Sequence, residues 1–297
     1  MIASITVTYQ PDMDLLRRQL GSLQSQVQQI IVIDNGTTRV RQGEIKSTVD
    51  DFGGSVIFVG VNSGIAHAQN VGIQQAMSRG ADMVLLLDQD SEACPAMVET
   101  LRKALDQEPR AAAAGPRSID QRTGHSFFLV DDGRWPRQRV YALEQHHPPV
   151  KVGFLVASGT LIRVSALDDL TPMQSNWFID HVDSEWCLRV QSKGWLLLGV
   201  PDAHLKHRLG DEVTKFWFLG WRTVAHHSPL RDYYMFRNTV LLVKRPYVSL
   251  RWKLFFLSRL VQVAVFFVLL TPQRLTRLQM MCKGVADGIF NRTGPWE

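Results

Sequence analysis

The sequence predicts an α/β fold in which a mainly parallel sheet is covered by helices on both faces. Three observations point there. The strand segments are apolar through their whole length, as in sheets buried on both sides. They alternate with helical patterns, the rhythm of repeated βαβ units. Four of them end in polar clusters, Thr8-Tyr9, Asp34-Asn35, Asn62 and Asp88-Gln89-Asp90, and ligands of such sheets sit beyond the carboxyl ends of the strands.

Taken in order, Ile2–Thr8 is a short β-branched strand, and Pro11-Asp12 opens a helix with apolar residues at Met13, Leu15, Leu16, Leu20 and Leu23. Gln29–Asp34 is a continuous apolar strand stopped by Asp-Asn-Gly. Ser55–Val59 is the third strand, Ala66–Met77 a helix, Met83–Leu87 the fourth strand, and Pro95–Leu105 the helix that completes this half. Ala111–Ser118 reads as another strand. Residues 120–150, with Pro136, Pro148 and Pro149, read as a long loop or hairpin over the site. Val152–Ala157 and Thr160–Arg163 are expected as strands around Ser158-Gly159. Phe178–Lys193 begins acidic, turns helical and stops at Gly194, and Leu196–Val200 is expected as the last strand. This divides the chain into 1–210, with halves 1–115 and 116–210, and a helical tail over 211–297.

Composition narrows the function classes. The chain has 297 residues, 45% hydrophobic and 21% charged, which excludes disordered and collagen-like chains. Three cysteines without a C-x-x-C pair exclude a disulfide framework and a zinc ribbon. Met1–Tyr9 runs straight into a strand with no secretory leader, so a reducing, cytoplasmic location is expected. The net charge of +5 and pI near 9.2 suit an anionic partner or a merely solvated basic surface. No helix-turn-helix, RRM or zinc pattern supports nucleic acid as that partner.

Three segments carry the chemistry. In Asp88-Gln89-Asp90, two carboxylates separated by one residue at a strand end can grip Mg²⁺ or Mn²⁺, which prefer oxygen ligands and share them with a diphosphate. The competing reading is a helix cap by Asp90 or Ser91. In Asn62–Gly72, small residues lead from strand to helix and let backbone approach a ligand, while the helix N-terminus attracts anions. Gly72 and Ala68 are read there as close helix–sheet packing. In Phe178–Arg189, three carboxylates (Asp180, Asp183, Glu185) crowd beside Phe178, Ile179 and Trp186. Asp183, in the first turn, is the candidate general base. Helix capping is its alternative, and Asp180 or Glu185 is expected to pair with Arg189 or to orient a loop. His204 and His207 follow a strand, and one of them is a candidate metal ligand.

These pieces, in this order, resemble the inverting glycosyltransferases of family 2, closest to bacterial rhamnosyltransferases that use dTDP-rhamnose. The likeness is carried by Val7-Thr-Tyr9, Ile33-Asp34-Asn35, Asn62-x-Gly64-x-Ala66-x-Ala68-x-Asn70-x-Gly72, Leu87–Ser91, Phe178–Arg189, His207-x-Leu-Gly210-Asp211 and Arg231-x-x-Tyr234-x-x-Arg237-Asn238. It covers roughly residues 2–240. It implies a GT-A, Rossmann-like fold and transfer of L-rhamnose to a saccharide or lipid-linked saccharide during cell-surface polysaccharide synthesis. It also implies roles for residues. Thr8, Tyr9, Asp34, Asn62, Gly64, Asn70, Asp88 and Gln89 would bind the nucleotide, and Asp90 and His207 the Mg²⁺ or Mn²⁺. Asp183 would be the base. Asp180, Glu185, Trp186, Arg231 and Arg237 would lie on the acceptor side, with Trp186 stacking on a sugar. One departure matters: Val182 precedes Asp183 where related furanose transferases often carry a second Asp, leaving one base in line.

Leu254–Leu270 is very apolar but holds Arg259 and Gln262, and basic residues flank it. It is shorter than the ~20 apolar residues of a spanning helix. An interfacial helix on the inner face of the cytoplasmic membrane is the preferred reading, with packing on the core or in a homodimer as the alternative. On the lipid-linked reading, Arg231, Arg237 and Lys244 would meet the acceptor's diphosphate. Two other readings of the whole chain stay open: an inactive nucleotide-sugar-binding protein, and a family 2 transferase with another donor.

Overall fold

The structure, a computed structural model, describes residues 1–120, 127–130, 135–140, 146–168, 172–207, 212–217, 221–226 and 228–296. The elements run β1 (Ile2–Thr8), α1 (Met13–Leu23), β2 (Gln29–Asp34), α2 (Arg39–Asp51), β3 (Ser55–Phe58), α3 (Ile65–Ser78) and β4 (Met83–Asp88). Then come β5 (Glu92–Ala93), α4 (Met97–Gln107), β6 (Ala111–Asp120), β7 (Phe127–Val130), β8 (Arg137–Val140), β9 (Val150–Lys151), β10 (Leu161–Arg163) and α5 (Val164–Asp168). After a 3₁₀ turn at Ser175–Trp177 follow α6 (Val182–Ser192), β11 (Leu196–His207), β12 (Glu212–Trp217) and β13 (Trp221–His226). Three helices close the fold: α7 (Pro229–Val243), α8 (Leu250–Leu270) and α9 (Arg274–Ile289).

One nine-stranded sheet has the order β3-β2-β1-β4-β10-β6-β11-β5, with β9 against β11. The β3-β2-β1-β4 half is parallel, as is the β6–β11 pair, while β10 runs antiparallel between them. Residues alternate between two apolar layers. Ala3, Ile5, Ile31, Ile33, Val84 and Leu86 face α3 and α6, and Ile30, Val32, Leu85 and Leu87 face α1, α2 and α4. Each fully buried side chain of this size contributes roughly 1.5–3 kcal/mol. Register pairs Thr8 with Asp34 and Val7 with Asp88, so three polar strand ends stop side by side.

Helix geometry follows the sequence. Asp12 caps α1, its carboxylate accepting from Asp14 N at 2.9 Å and Leu15 N at 3.2 Å. Leu16, Leu20 and Leu23 lie buried on one face, and the buried Gln19 donates to Thr6 Oγ1 at 2.7 Å. In α3 the small residues Ala66, Ala68, Gly72 and Ala76 are buried, with Gly72 against Ile5 and Ile33 of the sheet.

Several expectations need correction. A helix, α2, occupies residues to which the sequence assigned no element, and of its 13 residues only Ile45, Thr48 and Val49 are buried. Val152–Ala157 is not a strand: Val152 alone makes a bridge, and the chain then turns so that Leu155 fills the space over Gly115. The strand starting at Leu196 runs to His207 and is followed by the β12–β13 hairpin, so the tail is not helical from its start. Segment 120–150 holds the β7–β8 hairpin, whose Phe128 packs beside Gly199 in the core, while Trp135 meets Phe255 of α8. None of its described residues lines the cleft.

The C-terminal helices are joined tightly. A Cβ on Gly284 would lie 2.4 Å from Tyr233 O, and one on Gly288 would lie 2.8 Å from Arg237 O, so α9 crosses α7 at backbone distance. A buried ion pair, Asp232–Arg277 at 2.6 Å, and a bond from Tyr233 OH to Asp287 at 2.9 Å fix the crossing. Burial pushes the Asp232 carboxyl up to about 6 against the pull of Arg277. One face of α8 is packed through Trp252, Phe256 and Phe267. Along the other, Leu250, Leu254, Leu257, Val261, Val265 and Leu269 are exposed.

A Cβ on Gly72 would lie 2.3 Å from Ile5 Cγ2. Gly72→Val should therefore destabilise the fold by about 1–3 kcal/mol, read as a lower urea midpoint with an unchanged slope.

Candidate active site

A cleft of about 810 Å³ opens at the carboxyl ends of β1, β2 and β4. Tyr9, Asn35, Asn62 and Gly64 line one side, Asp88, Gln89 and Asp90 the floor, and Ala157, Ser158 and Phe178–Asp183 the other side, with Arg231 at the edge. The volume suits a small-molecule ligand.

The floor is built by short connections. Asp34 is fully buried; its Oδ1 accepts from Thr8 Oγ1 at 3.2 Å and its Oδ2 from Thr37 N at 3.0 Å. Thr8 and Asp34 do not line the cleft; they tie β1 to β2 and aim the next residues at it. Asn35 Nδ2 donates to Asn62 Oδ1 at 3.0 Å, while Asn35 Oδ1 accepts from Ser63 N at 3.0 Å. Asn62 Oδ1 also accepts from Gly64 N at 3.1 Å, closing an Asx turn before α3. Gln89 Oε1 accepts from Tyr9 N at 2.8 Å, joining the β1 and β4 ends. Asp88 N donates to Ser158 Oγ at 3.1 Å, and the Ser91 and Ser158 hydroxyls meet at 2.6 Å. Neither Asp90 nor Ser91 caps α4, whose cap position is Ala96 in the left-handed region.

The opposite wall is a strained turn. Phe178 has φ 68° and ψ −68°, and Ile179 N donates to Trp177 O at 2.8 Å, which is the rare γ-turn of positive φ. Asp180 and His181 also have positive φ, at 65° and 58°. Each such residue costs on the order of 1–3 kcal/mol. Gly64 docks against the turn: Phe178 O accepts from Ile65 N at 2.8 Å, and a Cβ on Gly64 would come within 2.5 Å of that oxygen.

Asp183 stands half-buried in the first turn of α6, and its Oδ1 accepts from Ser184 N at 2.7 Å. Desolvation raises its pKa above the ordinary carboxylate value, opposed by the backbone bonds and by His181. Burial lowers the His181 imidazole, whose Nε2 meets Thr239 Oγ1 at 2.8 Å. Asp180 makes a two-pronged pair with Arg231, at 2.5 Å to Nη2 and 3.2 Å to Nε.

The remaining predicted residues lie elsewhere. Asn70 Nδ2 donates to Met173 O and Ser175 Oγ, both at 2.8 Å, fastening α3 to the segment beneath the turn. Glu185 is fully buried and pairs with Arg189 through Nε at 2.8 Å and Nη2 at 3.1 Å, as one expected alternative had it, and Tyr247 OH donates to it. Trp186 is 1% exposed within the core, so it offers no ring face to a sugar. Arg237 is spent on Gly294 O, Trp177 O and Asn238, and Lys244 on Gly288 O, Ile289 O and Asn291. The side chain of His207, and residues 208–211, lie outside the described residues. His204 meets Arg117 at 2.6 Å.

Asn35, Ser158 and His181 line the cleft without having been assigned a role. Asn35 was visible in the Asp34-Asn35 strand end. Ser158 was visible only as a Ser-Gly-Thr turn between apolar runs, and His181 carried no signal of its own. Among the described residues no group of three or more His, Cys, Asp or Glu side chains comes together. The carboxylates that line the cleft are Asp88, Asp90, Asp180 and Asp183.

The model of the family described as Glycosyl transferase family 2 matches residues 4–171. The chain is 29% identical over 296 residues to the dTDP-rhamnosyl transferase RfbF of Shigella flexneri, covering 99% of this chain and 97% of that protein. It is 26% identical over 232 residues to the N-acetylglucosaminyl-diphospho-decaprenol L-rhamnosyltransferase of Mycobacterium tuberculosis, covering 68% and 74%. Among solved structures, S. aureus TarS 1–349 in complex with UDP-GlcNAc aligns with TM-score 0.62 at 15% identity, over 97% of this chain and 80% of that one. GalNAc-T7 with UDP, GalNAc and Mn²⁺ aligns with TM-score 0.58 at 14% identity over 98% of this chain; this chain spans 56% of that one. The shared backbone is the GT-A fold.

Glu185 answers a buried cation rather than a substrate. Glu185→Gln should therefore lower stability by about 3–5 kcal/mol, leaving Arg189 buried without its counter-charge. Thermal denaturation beside wild type measures it.

Proposed function

The chain belongs to glycosyl transferase family 2, and from that premise we propose that it transfers L-rhamnose from dTDP-rhamnose, with inversion, to a saccharide or lipid-linked saccharide acceptor in polysaccharide synthesis. The observation that carries the reading is one cleft with Asp88 and Asp90 on its floor and Asp183 on its wall, in a chain related along its whole length to a dTDP-rhamnosyl transferase.

The donor nucleotide lies along Tyr9, Asn35, Asn62, Gly64, Asp88 and Gln89, with Thr8 and Asp34 holding that rim from beneath. Asp183 accepts the proton of the acceptor hydroxyl. That oxygen attacks the anomeric carbon while the bond to the diphosphate oxygen breaks and its electron pair leaves with the nucleotide. A single in-line displacement converts a β-linked donor into an α-rhamnoside. Burial of Asp183 suits it to the task, because a base poised nearer neutrality is a better proton acceptor. Asp180 and Arg231 face the acceptor side.

Asp90 with Asp88 would hold a Mg²⁺ or Mn²⁺ ion, with His207 as a further candidate ligand. Two carboxylates are a fitting protein share for a cation that completes its shell with phosphate and water. Such an ion supplies Lewis-acid neutralisation of charge on the leaving diphosphate.

The outer face of α8 supports a peripheral membrane contact. Leu250, Leu254, Leu257, Val261, Val265 and Leu269 form a continuous exposed apolar stripe, and Arg251, Lys253, Arg259 and Arg274 suit an anionic surface. The helix is long and apolar enough to cross a membrane, yet its other face is packed against the protein, which favours lying in the interface. A lipid-linked acceptor would then be presented at the membrane.

Nucleotide-diphosphate release and calorimetric binding across a panel of nucleotide sugars, with Mg²⁺, Mn²⁺ or EDTA, test the donor and the metal. dTDP-rhamnose should bind and turn over, and EDTA should abolish turnover; binding of another nucleotide sugar instead would replace the donor, and binding without any turnover would favour the inactive binder. Asp183→Asn should cut kcat by roughly 10³-fold or more while donor binding persists. Because its pKa is raised, the wild-type rate should fall on the acid side at a higher pH than an exposed aspartate would give. For the membrane contact, Val261→Asp with Val265→Asp should release the protein from phosphatidylglycerol-containing vesicles in co-sedimentation, with turnover on a water-soluble acceptor unchanged. Unaltered sedimentation would refute it.

A further inference from the structure

We propose that Asn238, on α7, is a positioning residue for the base: it holds the turn at 177–181 in the one conformation that presents Asp183 to the cleft. The inference rests on Asp183 being the base of the proposed reaction.

Three non-glycine residues with positive φ among four, Phe178, Asp180 and His181, form a backbone that does not persist unless its surroundings over-determine it. Most of the side-chain hydrogen bonds to the turn's carbonyls come from a single amide. Asn238 Nδ2 lies 3.0 Å from Trp177 O, 2.7 Å from Ile179 O and 3.0 Å from Asp180 O, so three carbonyls of the strained segment share the two N–H groups of one amide. The amide is itself fixed, since Arg237 Nε donates to Asn238 Oδ1 at 3.0 Å, and Arg237 Nη2 adds a bond to Trp177 O at 2.9 Å. The next residue of α7, Thr239, meets His181 Nε2 at 2.8 Å. Tyr234, one turn earlier, stacks on Phe178 with centroids 5.0 Å apart and ring planes at 17°.

The held segment leads directly into the base. His181 is the cap position of α6, and Glu185 N donates to His181 O at 2.9 Å, so the turn sets where the first helical turn begins and which way Asp183 faces. Asn238 is 0% exposed and does not line the cleft. It cannot touch a substrate, and any effect on rate passes through the turn. The chemistry also selects the residue. An aspartate would set a carboxylate against three carbonyl oxygens, and an aliphatic side chain would leave all three without this donor.

The test compares wild type with Asn238→Ala and Asn238→Ser by hydrogen exchange of the full chain and by steady-state kinetics with the donor. Exchange at the amides of Ile179 and Glu185 should quicken by roughly tenfold or more in Asn238→Ala. kcat should fall by about 100-fold, the effect of misplacing a reacting group by a fraction of its reach, while the donor KM stays within about threefold. Asn238→Ser keeps one hydroxyl donor and should fall between; if the alanine variant does not fold, the serine variant is read by the same criteria. Unchanged exchange at these amides overturns the proposal. So does a rate loss matched by an equal loss of donor affinity, the mark of general destabilisation. If wild type transfers sugar from no donor, the proposed function fails instead, and the exchange arm alone decides whether Asn238 holds the turn.

Discussion

Ile5, Ile33 and Leu86 face one apolar layer, while Val32, Leu85 and Leu87 face the other. Strands β1, β2 and β4 are therefore buried on both sides, and the polar residues of Thr8-Tyr9, Asp34-Asn35 and Asp88–Asp90 collect at one edge of the sheet. The floor of the site follows from that edge. Parallel register brings the three ends level, crossover helices keep the edge clear, and the cleft forms where they stop. Buried carboxylate and amide groups then lock the connections, with Asp34 and Asn35 each serving two neighbours.

The wall facing this edge obeys a different physics. It has no strand to define it, and it is held instead by groups that are themselves expensive to bury. Asn238 and Arg237, both fully buried on α7, spend their donors on the carbonyls of Trp177, Ile179 and Asp180, while Glu185 with Arg189, and Asp232 with Arg277, are ion pairs removed from water in the helices behind. Such pairs add little net stability over apolar packing, but they tolerate few alternative arrangements.

The parallel half of the fold was legible in the sequence because its strands are apolar throughout and Asp12 opens α1 by a local capping rule. The helix α2 was not, because it buries only Ile45, Thr48 and Val49 and so carries almost no amphipathic signal. Val152–Ala157 misled in the opposite sense: the run is apolar because Val152 and Leu155 fill the core, not because it is extended. At the site, Asp88, Gln89, Asp90, Asn62, Gly64, Asp180, Asp183 and Arg231 were found as a set by their order along the chain, and they meet in one cleft. Trp186 and Arg237 were misplaced because sequence does not say which face of a helix is inward when both faces carry bulky residues. The role of Asn238 was invisible, since its partners are backbone carbonyls of a turn whose shape no residue type announces.

The chain returns at its end to the place where the wall is held. Gly294 O accepts from Arg237 at 2.7 Å, Gly294 N donates to Asn176 O at 2.7 Å, and Trp296 N donates to Tyr234 OH at 2.6 Å, with the Trp296 ring against Tyr233. A cut at residue 210 would remove this clamp together with Leu241, Leu242, Trp252 and Phe256, which share a buried cluster with the sheet. The residues up to Trp296 therefore take part in shaping the cleft wall, although they lie far from it along the sequence.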